Sequence, residues 1–172
     1  MKILLCVLTL LCVSCSQVTS TYQERREARQ FVDSGVAKMR EGALDAAQAA
    51  FEVALETAEI PEGYDGLGCI AFILGDYKQA QMLFLKAYEK DDNYAEALEH
   101  LALLYELQGF VDEADKLYLR AIEINPSLYT ARNNRAVFKY ELGEEGEAKS
   151  ELLKASSIAK NDIIENNLKK LN

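Results

Sequence analysis

The stretch AEALEHLALLYELQGFVDEADKLYLRAIEINPSL, residues 95–128, reads as two amphipathic helices around a glycine. Before Gly109, the residues Leu98, Leu101, Ala102 and Tyr105 share one helical face. After it, Ala114, Tyr118 and Ala121 stand at i, i+4 and i+7. Gly109 is suited to end the first helix and turn the chain, and Pro126 falls where the second must stop. Small residues let the two helices approach closely while Tyr118 fills the space beyond. A hairpin of this kind cannot bury its apolar stripe alone and needs similar hairpins stacked on it.

Such neighbours are present on both sides. The glycines Gly42, Gly75, Gly109 and Gly143 are spaced by 33, 34 and 34 residues. The same rhythm carries Ala47, Ala80, Ala114 and Ala148, and again Ala54, Ala87, Ala121 and Ala155. It carries the larger residues Phe51, Phe84, Tyr118 and Leu152, and the small ones Gly35, Gly68, Ala102 and Ala136. Pro61 opens a period, where its missing N–H is harmless. The periods divide the chain into units at 28–60, 61–94, 95–128 and 129–162.

A small residue in the first helix, a glycine turn, then Ala, a large residue, Ala and a closing Pro: this pattern resembles the tetratricopeptide repeat. The resemblance covers about 135 residues. It implies an all-α solenoid of four helical hairpins. Residues 163–172 add a capping helix, with Ile164, Leu168 and Leu171 on one face. The outer units depart from the pattern. Asp33-Ser34 adds polarity to the first, and Arg132, Arg135 and Lys139 stand in the fourth where apolar residues are usual. Such departures are expected of end units facing water.

The resemblance also implies a ligand groove along the first helices of the units. Its recurring positions fall on Arg29, Val32, Val36, Met39 and Arg40, then Glu62, Asp65, Cys69, Phe72 and Ile73. They continue at Glu96, Glu99, Leu103, Glu106 and Leu107, and at Thr130, Asn133, Val137, Tyr140 and Glu141. Asp65 and Glu99 occupy positions where relatives that clamp acidic tails carry a cation or Asn. The expected partner is therefore a protein or peptide with a basic or apolar segment. Phe72, Ile73, Leu103 and Tyr140 would supply affinity, with Asp65, Glu96 and Glu99 steering and Glu106 and Asn133 alongside.

The formal net charge of −9 repels phosphate backbones and argues against a nucleic-acid partner. No nucleophile elbow, P-loop or zinc-ligand pair is legible, so a non-enzymatic chain without cofactor or metal is expected. His100, the sole histidine, reads as an ordinary packed or surface residue with no evident partner. Cys69 reads as a packed thiol with no basic neighbour.

The first residues form an address. Lys2 precedes eleven uncharged residues from Ile3 to Val13, about 16 Å as a helix and too short to span a bilayer. Residues 1–14 read as an export signal. Leu11-Cys12-Val13-Ser14-Cys15-Ser16 resembles the lipobox of bacterial lipoproteins, with Cys12 where an aliphatic residue is usual. The resemblance implies an acylated Cys15 as membrane anchor, a tether over residues 15–27, and an outer-membrane location facing the periplasm. Cleavage after Ser20, giving a soluble secreted protein, is the competing reading. The role expected from the whole is an interaction scaffold or assembly factor of the bacterial envelope. The alternative is a structural or self-associating subunit of an envelope or secretion complex.

Overall fold

The computed structural model describes residues 2–171, with side chains described for residues 21–171. Cys15 lies outside the described side chains. The described residues form nine helices and no strand: α1 (Lys2–Arg40), α2 (Leu44–Thr57), α3 (Pro61–Ile73), α4 (Tyr77–Lys90), α5 (Ala95–Leu107), α6 (Val111–Ile124), α7 (Tyr129–Glu141), α8 (Glu145–Ile158) and α9 (Asp162–Lys170). Among them no helix is long and apolar enough to cross a membrane. The stretch read as a tether lies inside α1. No Gly or Pro precedes Gly35, so nothing in the sequence interrupts that helix.

The four glycines of the 34-residue rhythm make the same turn four times. Each has a φ between +77° and +82°, in the left-handed region. In the turn after α3, Gly75 N–H donates to Phe72 C=O at 3.0 Å and Asp76 N–H to Ala71 C=O at 2.9 Å. The same pair of bonds follows α1, α5 and α7. It satisfies carbonyls that a helix end would otherwise leave bare. Nothing lies within 4 Å of where a Cβ would stand on these glycines, so backbone conformation alone demands them. Asp76 then caps α4, accepting from Gln79 N–H at 3.0 Å.

Helices pair as α1/α2, α3/α4, α5/α6 and α7/α8, and each hairpin stacks on the next. The alanine columns are fully buried at the crossings, and Phe51, Phe84, Tyr118 and Leu152 are buried beside them. The odd-numbered helices also touch one another, α1 with α3, α3 with α5 and α5 with α7. The even-numbered ones make no comparable contact, so the stack curves with its odd helices inside. Helix α9 closes the end. Ile164 is buried with Ala136, Leu152 and Ala155, and Leu168, Leu171 and Tyr129 pack around it.

The fourth repeat differs from what its sequence suggests. Arg135 and Lys139 are buried, not water-facing. Arg135 bonds Asp115 of α6 at 2.7 Å and Glu147 of α8 at 3.1 Å, and lies 3.5 Å from Glu151. Lys139 reaches Asp115 at 2.9 Å and Glu144 at 2.8 Å, and Arg132 reaches Glu151 at 2.9 Å. Basic residues of α7 thus face acids from both neighbouring helices. Ion pairs do there what apolar contacts do in the other repeats.

Candidate functional site

The inner helices carry every position expected to face a ligand, but not all remain open to one. Asp65 is only 7% exposed and Glu99 only 4%. Asp65 Oδ1 lies 2.7 Å from His100 Nδ1, and its Oδ2 accepts from Tyr94 O–H at 3.1 Å. Glu99 accepts from Thr130 O–H at 2.7 Å and from the Asn134 amide at 2.8 Å. The Asn167 amide donates to Asn133 at 2.9 Å, and the Tyr118 hydroxyl to Glu106 at 2.8 Å. Four of these links join one inner helix to the next: Asp65 to His100, Glu99 to Thr130 and to Asn134, and Asn133 to Asn167.

This ladder corrects the steering role given to Asp65 and Glu99, because both carboxylates are engaged inside the protein. Glu106 and Asn133 are held in the same way. Burial pushes the Glu99 carboxyl above the usual range, against the lowering effect of His100 and Thr130. It pushes Glu106 up too, against the Tyr118 hydrogen bond. Burial and the nearby Asp65 keep the Tyr94 phenol protonated and therefore a donor. Burial works against the charged form of His100, yet the Asp65 carboxylate outweighs it and raises the imidazole well above its ordinary value.

His100 is not the partnerless residue its sequence context suggests. Its Nδ1 lies 2.7 Å from the Asp65 carboxylate oxygen, which accepts from it, and its ring lies 5.2 Å from that of Phe84, centroid to centroid. Cys69 Sγ stands 3.8 Å from Nδ1 and 4.0 Å from Nε2 of the same ring. Cys69 therefore has a basic neighbour. The signal existed in the sequence: an acid at Asp65 with a donor 35 residues later, repeated at Glu99 and Asn134.

The apolar groove residues behave differently. Ile73 and Leu107 are each 56% exposed and Tyr140 is 44% exposed. They sit at the ends of α3, α5 and α7, one per repeat; Ile73 and Leu107 hold the same repeat position, which is Glu141 in the fourth repeat, and Tyr140 stands one residue before it. Phe72 and Leu103 are half-buried on the same helices. Tyr140 also borders a pocket of about 190 Å³ with Val137, Leu152 and Leu171. Glu96 is half-buried near the start of α5. Arg29 of α1 pairs with Glu62 of α3 at 3.2 Å across the first two repeats.

Comparison with known proteins agrees with this geometry. Residues 61–94 and 95–128 match the tetratricopeptide-repeat profile. Over 95 residues, 55% of this chain, the sequence is 32% identical to human tetratricopeptide repeat protein 8. That match takes in only 18% of the human protein's length. A thermophilic tetratricopeptide-repeat protein from Thermus thermophilus superposes with a TM-score of 0.74 at 22% identity, covering 84% of this chain and 80% of that one. YrrB, described as a tetratricopeptide-repeat protein with an unusual peptide-binding site, gives 0.59 at 24% identity, covering 83% and 74%. The fold is a tetratricopeptide-repeat solenoid, a fold typical of protein–protein interaction scaffolds.

Proposed function

We propose that the chain is a non-catalytic scaffold that holds an apolar, basic segment of a partner protein along its inner helices. The carrying observation is the exposure of Ile73, Leu107 and Tyr140 at the ends of three successive inner helices, next to the buried ladder. Apolar side chains exposed at successive helix ends fit a segment that places its own apolar residues at similar intervals. Glu96 and Glu141 lie on the same helices and favour positive charge in that segment.

Selection of displayed random peptides on the full chain is expected to enrich apolar and basic sequences. The double variant Ile73→Glu, Leu107→Glu keeps its helix content and lowers capture by at least about tenfold. Enrichment of acidic C-termini, or unchanged capture by the folded variant, rejects the reading. Glu96→Lys is the charge variant to pair with it. Glu99→Lys would break two internal hydrogen bonds and test folding instead.

We place this scaffold in the bacterial envelope as a lipoprotein anchored through Cys15, a reading supported by the lipobox-like residues 11–16. The intact mass of the mature protein from membranes is expected to begin at Cys15 and to carry acyl chains. A mass beginning near Thr21 without lipid would mean a soluble exported protein, and retention of Met1 would overturn export.

A further inference from the structure

We propose that Asp65, Cys69 and His100 form a binding site for a thiophilic divalent cation of the zinc type, on the groove wall between the second and third repeats. One ligand atom from each residue lies within 4.8 Å of the other two. Tetrahedral zinc with bonds of about 2.0–2.3 Å spaces its ligand atoms roughly 3–4 Å apart. The 3.8 Å between Cys69 Sγ and His100 Nδ1 already meets that spacing. The 2.7 Å between Nδ1 and Asp65 Oδ1 needs to open by only about half an ångström.

The local fold explains the convergence. Asp65 and Cys69 are four residues apart on α3 and so share a face, and α5 presents His100 to that face. The donor set selects the metal: thiolate with imidazole suits zinc or cobalt, whereas magnesium and calcium take oxygen ligands. The Tyr94 hydroxyl holds the second oxygen of Asp65 and orients it, as outer-shell donors do at metal sites. Phe84 lies against the imidazole ring.

Cys69 and His100 are both half-buried, so a metal has an entry path and a fourth position for water or a partner's side chain. On binding, the Cys69 thiol and His100 each release a proton to solvent, leaving thiolate and neutral imidazole as ligands.

Cobalt(II) alone, titrated into the full chain, is the test. One equivalent is expected to produce a thiolate-to-cobalt charge-transfer band that zinc then displaces. Cys69→Ser abolishes the band, and Tyr94→Phe weakens binding by about tenfold. A measurement on the unsubstituted chain guards against a variant that fails to fold. Zinc should protect Cys69 from alkylation, mapped by peptide mass against the metal-free chain. Absence of the band, its survival in Cys69→Ser, or unchanged alkylation of Cys69 in excess zinc overturns the proposal.

Discussion

Phe51→Ala is expected to destabilise the chain by about 3–5 kcal/mol, the range for emptying a large aromatic site in a core that cannot collapse. The ring is fully buried between two hairpins. A Cβ on Gly35 of its own hairpin would stand 2.7 Å from Phe51 Cε1, and one on Gly66 of the next hairpin 2.4 Å from the same atom. Gly66→Ala should therefore cost about 1–3 kcal/mol by overpacking, because a ring enclosed on every side has nowhere to move. The two substitutions oppose each other in volume. Combined, they should cost less than their sum by about 1 kcal/mol or more, since the new methyl occupies part of the space the ring vacates. Denaturant unfolding followed by circular dichroism checks all three chains. Strict additivity would mean that Phe51 does not pack on Gly66.

The architecture was legible because its determinants are local and periodic. Gly75 and Gly109 need a positive φ, Ala80 and Ala114 need a close crossing, and each such demand recurs one repeat later. Links across repeats were harder to read. The position that is Gly66 in the second repeat is His100 in the third and Asn134 in the fourth. That column lies where one inner helix meets the one before it, and its side chains answer the acid of the preceding repeat. At Gly66 there is no side chain, so Phe51 packs on bare backbone. At His100 the ring lies tilted against Phe84 and meets Asp65. Column identity thus conceals a role that depends on two residues 35 apart. The acids of the groove misled for a related reason: sequence assigns Asp65 and Glu99 to the inner face, but only packing decides whether an inner residue faces solvent or the next helix.

The fourth repeat shows the same effect with charge. Arg135→Ala is expected to cost about 3–5 kcal/mol near neutral pH, because it removes the cation common to Asp115, Glu147 and Glu151 and leaves Glu151 a buried carboxylate with fewer partners. Arg135→Lys should cost less, since an ammonium still supplies charge but cannot fork between carboxylates. The pH dependence separates this account from simple loss of packing. Burial pushes Asp115 up, but hydrogen bonds from Arg135 and Lys139 outweigh it and hold the carboxyl below its ordinary 3.8. Burial likewise pushes Glu151 up, while Lys154 and Arg132 bring it below 4.5. A carboxyl depressed on folding contributes stability that is present above its unfolded value and lost as pH falls through the folded one. The gap between the unsubstituted chain and Arg135→Ala should then be widest near pH 7 and shrink as pH falls below about 4. Glu99 and Glu106, raised by burial, act with the opposite sign in both chains and cancel from the difference. Unfolding free energies of the two chains across that range decide the matter. A gap that stays constant into acid would mean that Arg135 acts through the bulk of its side chain, not through its charge.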